Sequence, residues 1–163
     1  MLIRDLTDTD LAAVTAIYND AVLHTTAVWN ETTVDIANRR AWVAARVGLG
    51  YPVLVADIDG VAAGYATFGD FRAFDGYRYT VEHSIYVAAA YRRRGIATAL
   101  LPELEARARA LGKHAMLGAI AADNAASIAL HAAAGFTEVG RLPEVGRKFD
   151  RWLDLVFMQK LLG

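Results

Sequence analysis

A chain of 163 residues suits one domain, and its 55% hydrophobic residues supply enough apolar surface for a sizeable core. Charged residues, at 21%, are too few for a disordered chain, and a net charge of -1 offers no general field for nucleic acid or an anionic membrane. The sequence has no cysteine, which excludes disulfides, thiolate metal sites and acyl-cysteine chemistry.

Residues Met1 to Asp5 lack the basic and apolar regions of a secretory signal. No apolar run reaches the roughly 18 residues that cross a bilayer, so a cytoplasmic chain is expected. Residues 2 to 6 read as a short strand. Thr7-Asp8-Thr9-Asp10 has the pattern that caps a helix, and Leu11, Val14, Tyr18 and Ala21 follow at spacings of three and four. Thr32-Thr33-Val34-Asp35 repeats the capping pattern and predicts a second helix through about Val47, ended by Gly48, Gly50 and Pro52.

Val53 to Ala56 and Val61 to Ala66 flank Asp59-Gly60, which predicts a hairpin. A polar and aromatic loop, Gly69 to Gly76, leads to a strand from about Arg78 to Val87. A helix from about Arg94 to Leu111 places Leu100, Leu104, Ala108 and Leu111 on one face, and Gly112 closes it. His114 to Ala121 reads as an apolar strand of the kind buried on both faces. Asn124 to Ala134 is predicted helical and ends at Gly135, and Phe136 to Leu142 and Arg151 to Leu161 are two closing strands. The order β-αα-βββ-α-β-α-ββ describes a single domain over residues 1 to 163, with a mixed sheet flanked by helices.

Between the Arg78–Val87 strand and the next helix lies Arg92-Arg93-Arg94-Gly95-Ile96-Ala97. Gly95 and Ala97 let the backbone turn tightly and bring free amides to a ligand, while the helix N-terminus and the arginines add positive charge. A pyrophosphate is the matching ligand. A basic helix start on a solvated surface is the plainer reading of such a run. Neither a Walker loop nor a dinucleotide fingerprint is present.

The form [QR]-x-x-G-x-[GA] after a strand resembles the GCN5-related N-acetyltransferase superfamily. Asn124-Ala125-Ala126-Ser127-Ile128-Ala129-Leu130-His131, followed by Gly135-Phe136, is similar to that family's N-x-x-[AS]-x-x-[LM]-[YH]-x-x-x-G-F helix. Five further blocks resemble the phosphinothricin and methionine sulfoximine N-acetyltransferase group. They are Tyr18 to Val22, Thr25 to Trp29, Thr80 to Val87, Val145 to Phe149 and Arg151 to Asp154.

The resemblance implies a mostly antiparallel mixed sheet, an α/β fold, and acetyl-CoA as co-substrate without a metal. The four histidines, His24, His83, His114 and His131, show no ligand-pair spacing. It implies cofactor contacts at the backbone of Ile85, Tyr86 and Val87, at Arg93, Arg94, Gly95, Ile96, Ala97 and Thr98, and at Asn124 and Ser127. Read without it, Asn124 is a helix N-cap. His131 stands where the family usually has a tyrosine acid for the departing thiolate; imidazole is able to donate a proton, and packing is the other reading.

An attacking amine must be neutral, so a base has to take its proton. Glu82 is the candidate: it shares a strand face with Thr80, Ser84 and Tyr86, and a carboxylate among apolar residues has a raised pKa. Pairing with a cation such as Arg78 is the alternative. The resemblance places acceptor contacts at Arg72, Ala73 and Phe74 and at Glu82, His83 and Ser84. Arg72 suits a carboxylate and Phe74 an apolar side chain. For His83, a lone strand histidine, the core is the plainer reading. Trp29, Lys148 and Trp152 complete the expected pocket, in part across a homodimer interface. The function implied is acetylation of a small amino acid or analogue, such as methionine sulfoximine, methionine sulfone or phosphinothricin. A peptide acetyltransferase and a non-catalytic acetyl-CoA-binding domain are the alternatives.

Overall fold

Strand β2 (Val53–Ile58) accounts for the layering, because its apolar run is buried on both faces. Leu54 and Ala56 join a core with Phe68, Val81, Leu100, Leu104 and Met116, whereas Val53 and Val55 join one with Val14, Ile17, Ala62 and Tyr65. Helices α1 (Leu11–His24) and α2 (Ile36–Gly48) cover the second core, and α3 (Ile96–Ala110) covers the first. The short α4 (Ala125–Ala133) adds Ile128 to the α3 side.

The computed structural model describes residues 1–163. The other strands are β1 (Leu2–Asp5), β3 (Val61–Asp70), β4 (Thr80–Val87), β5 (Ala115–Ala121), β6 (Thr137–Lys148) and β7 (Arg151–Leu161). They form one seven-stranded sheet in the order β1-β2-β3-β4-β5-β7-β6. Every neighbouring pair is antiparallel except β4 and β5. This is the mixed, mostly antiparallel α/β sheet that the resemblance implies.

Local chemistry sets the ends of the elements. Asp10 takes the Thr7 amide at 2.8 Å and the Arg4 guanidinium at 2.7 Å, closing a short 3-10 turn before α1. At α2 the cap is Asp35, which accepts the Asn38 amide at 2.8 Å, not Thr32 as the repeated pattern suggests. The Asp59-Gly60 turn has φ of 52° and 83°, as the hairpin reading requires.

Three boundaries differ from expectation. β3 runs on to Asp70, where Tyr51 donates its hydroxyl to the Asp70 carboxylate, so the loop begins later. α3 starts at Ile96, and Leu111 is exposed because it lies past the last turn. β6 continues beyond Leu142 to Lys148 through two bulges, between Glu138 and Gly140 and between Leu142 and Gly146. Bulges break the two-residue alternation by which a strand is read.

Candidate active site

The site arises where the sheet comes apart. β4 pairs with β5 only from Thr80 opposite Ala115 to His83 opposite Gly118. β4 nevertheless stays on β3 as far as Val87, and β5 stays on β7 as far as Ala121. Past His83 the two parallel strands therefore diverge, and the β5-facing edge of Ser84 to Val87 has no strand partner. Unpaired backbone groups there are free to meet a ligand. A cavity of about 680 Å³ occupies the gap and is bounded by both strands, the start of α3, α4 and the Thr26–Trp29 segment.

One end of the cavity is mostly backbone. Gly95 caps α3 with φ of 75°, and Arg93 also has a left-handed φ, of 61°. This hook turns the amides of Ile96, Ala97 and Thr98, which no helix carbonyl can take, toward the cavity. A side chain at Gly95 would meet no atom of the chain within 4 Å, so the space beside it is open. Arg92 and Arg93 line the cavity; Arg94 does not, and lies 5.2 Å from the Tyr91 ring. Arg92 also bonds Asp20 at 3.1 Å, tying this hook to α1. Asn124 caps α4 by accepting the Ser127 amide at 3.1 Å, and both residues line the cavity, as do Ile85, Tyr86 and Val87.

The other end is built from side chains. Glu82 is half-buried on the cavity wall and makes no ion pair, with Arg78 or with any other residue. Burial raises its pKa, and the nearby charge of Arg46 lowers it in part. Tyr86 packs toward the α1–α2 core while Val81, Ile85 and Val87 pack toward α3, so Glu82 belongs to the α1–α2 side by alternation. Arg46 had no sequence signal as a site residue. It lies on α2 against Gly69, the residue paired with Glu82 across the strands.

Trp29 lines the cavity, donates its ring N–H to the Thr26 carbonyl at 3.0 Å and packs on Gly146 of β6. Lys148 is buried beneath this segment. Its ammonium donates to the carbonyls of Thr25 and Val28, both at 2.7 Å, and to that of Ala21 at 3.4 Å. Lys148 therefore holds the wall in place and does not line it. Trp152, under the Arg147 guanidinium at 5.0 Å, is exposed on β7 and lies outside the cavity. Arg72, Ala73 and Phe74 are exposed in the loop before β4 and are likewise not part of its lining; Arg72 lies 5.2 Å from the Phe71 ring.

His83 and His131 meet at the branch point, with 2.8 Å between their Nε2 atoms. His83 Nδ1 is 2.8 Å from the Leu117 carbonyl, and His131 Nδ1 is 2.6 Å from that of Ser127. Gly118 makes this possible, because a side chain there would come within 2.9 Å of the His83 ring. Burial, and then the neighbouring His131, push His83 down to about 3; burial lowers His131 as well.

The parallel pair thus splits around a cavity with a helix N-terminus, suited to an anion, at one end and a half-buried carboxylate, suited to a base, at the other. The chain belongs to the acetyltransferase (GNAT) family, whose model matches residues 14–136. An L-methionine sulfoximine/L-methionine sulfone acetyltransferase of Salmonella typhimurium is 57% identical over 98% of this chain and 93% of its own. A phosphinothricin N-acetyltransferase of Alcaligenes faecalis is 41% identical over 99% of this chain and 82% of its own. Among solved structures, the Salmonella typhimurium acetyltransferase yncA with its cofactor acetyl-CoA superposes with a TM-score of 0.97 at 56% identity, covering 99% and 94% of the two chains. A ribosomal-protein-alanine N-acetyltransferase from Brucella melitensis also reaches 0.97, at 53% identity and 99% coverage of each chain.

Proposed function

We propose that this protein transfers the acetyl group of acetyl-CoA to the amine of a small amino acid or analogue, of the methionine sulfoximine, methionine sulfone or phosphinothricin kind. The observation that carries the reading is Glu82: a half-buried, unpaired carboxylate with a raised pKa, on the wall of the cavity whose far end is the Gly95–Thr98 hook. An ammonium has no lone pair for attack on a thioester. Glu82 takes its proton, and a pKa closer to neutrality makes it a stronger base. The hook and Arg93 suit the pyrophosphate, and the open edge of Ser84 to Val87 offers donors to the acetyl oxygen as it gains charge.

On the family resemblance, Arg72, which lies outside the cavity lining, is assigned to the acceptor carboxylate, with Ala73 and Phe74 beside it. A homodimer belongs to the same reading. Its support is the set of exposed apolar residues Val139, Leu142 and Val145 on β6, Phe149 in the following turn and Trp152 on β7. A peptide N-terminus is the competing acceptor, favoured by the likeness to the Brucella protein.

Glu82→Gln tests the central step. It should leave acetyl-CoA affinity unchanged and lower kcat by roughly 10²- to 10⁴-fold, as expected for loss of a general base. Near-normal turnover would assign proton removal to another group and undo this reading.

A further inference from the structure

The cavity is lined from both faces of the sheet, by α4 on one and by the Thr26–Trp29 segment on the other. On β5 and β7, Met116, Ile120, Val156 and Met158 belong to the α3-side core. By alternation Leu117, Ala119 and Ala121, with Leu153, Leu155 and Phe157, point to the opposite face. Glu82 shares that face, since it pairs with Leu117. Ala119 stands opposite Phe157, and Ala121 opposite Leu155. Ala119, Ala121 and Leu155 line the cavity, and Ala119 is the one residue of β5 that is not buried. Together they make a floor with no charge and no hydrogen-bonding side chain.

Aromatic rings bound this strip at both ends. Trp29 packs on Gly146 of β6, which pairs with Leu153, so the indole stands at the Leu153 end. At the other end Phe157 meets Phe71, with 6.2 Å between ring centroids, and the Arg72 guanidinium lies 5.2 Å from the Phe71 ring. Ala119 lies two residues beyond Leu117, so roughly 7 Å along β5 from the level of Glu82. That is about the reach of a methionine-length side chain whose α-amine stands at Glu82.

We propose that the floor of Ala119, Ala121 and Leu155 receives the side chain of the acceptor and selects it by length and charge. This rests on the acetyl-transfer reading and deepens it, because it names the acceptor class: amino acids with an uncharged, unbranched side chain of about methionine length. Methylene and methyl groups laid on the floor leave water and gain from burial. A charged side chain there would lose its hydration without gaining a partner.

The charged groups around the cavity are placed elsewhere. Arg92 and Arg93 belong to the hook, and His83 and His131 lie on the α3 and α4 side. The Lys148 ammonium is turned to the carbonyls of Thr25 and Val28, and Arg151 is bonded to Asp123 at 2.6 Å. Along the floor itself the next residues on the same face are Leu117, Leu153 and Phe157, all apolar. The two alanines keep the floor low, and Leu155 is its one bulky member.

The test compares kcat/KM for methionine sulfone, alanine, glutamate and ethionine sulfone at saturating acetyl-CoA. The wild type should favour methionine sulfone over alanine and over glutamate, each by about tenfold or more. Ala119→Leu fills the floor and should cut the ratio of methionine sulfone to alanine about tenfold. Leu155→Ala lowers the floor and should raise the ratio of ethionine sulfone to methionine sulfone by a similar factor. Titration with acetyl-CoA checks that each variant is folded; if Ala119→Leu is not, Leu155→Ala decides alone. Ratios that stay at the wild-type values, or a wild type that takes glutamate as readily as methionine sulfone, would overturn the proposal. If the wild type acetylates no free amino acid, the acetyl-transfer reading fails and the floor with it. If it does so and the variants slow every acceptor alike, only the floor fails.

Discussion

The hook end of the cavity is made by one short stretch of chain, Arg92 to Thr98, acting mainly through its backbone. The Glu82 end draws on α2 for Arg46, on the segment after α1 for Trp29, on β4 for Glu82 and on the far end of β6 for Lys148. A backbone-built site tolerates little change at one residue. A side-chain-built site spreads its geometry over several, so single changes there should weaken one function at a time. Substitutions at the two ends should therefore separate cofactor binding from acceptor handling.

Gly95→Asp should have the largest effect on binding. It forces a side chain into a left-handed φ of 75° and sets a negative charge at the proposed pyrophosphate site. Acetyl-CoA affinity should fall roughly 10²-fold, equivalent to the loss of one or two charge-assisted hydrogen bonds. Calorimetric titration of the folded variant measures it, and unchanged affinity would remove the hook from the site.

Lys148→Met sharpens the comparison from the opposite end. It keeps a buried chain of similar length but leaves the Ala21, Thr25 and Val28 carbonyls without their donor. A stability loss of about 2–4 kcal/mol is expected, from buried acceptors left unpaired. The Thr26–Trp29 wall should loosen and raise the acceptor KM about tenfold, in line with about 1.4 kcal/mol of lost positioning. Acetyl-CoA affinity should stay within a factor of about two. A variant that lost both equally would show that the two ends are not separable.

Arg46→Gln should have the smallest effect. Arg46 lowers the Glu82 pKa against the upward push of burial, so removing its charge should raise that pKa further. In the proposed role as base, Glu82 would act in its deprotonated form. The acidic limb of the kcat/KM profile should therefore move to higher pH, with turnover above that limb preserved. A limb that stayed in place would mean that Arg46 does not act on the base.

The same contrast governs what could be read in the sequence. The hook was legible because its chemistry is local: a glycine beside arginines, between a strand and a helix. Glu82 stood out as a lone carboxylate in a largely apolar strand, and its reading as a base came mostly from the family resemblance. Lys148 showed its residue type but not its role, since only the extended and twice-bulged β6 carries it under α1. Arg46 gave no signal, because its partner is the notch at Gly69, 23 positions along the chain. Arg94 and the Arg72 loop follow the same logic. A sequence run assigns three arginines alike, whereas the left-handed turn at Arg93 directs Arg94 toward Tyr91. A loop before a catalytic strand says little about which way its side chains point.

The most direct measurement is thiol release from acetyl-CoA by the wild-type protein with methionine sulfoximine, phosphinothricin, a peptide with a free N-terminus, and a matched amine lacking the carboxylate. Mass spectrometry of the products would accompany it. The account predicts stoichiometric N-acetylation of the amino-acid analogues, with kcat/KM well above that for the plain amine and the peptide. A preference for the peptide or the plain amine would contradict it.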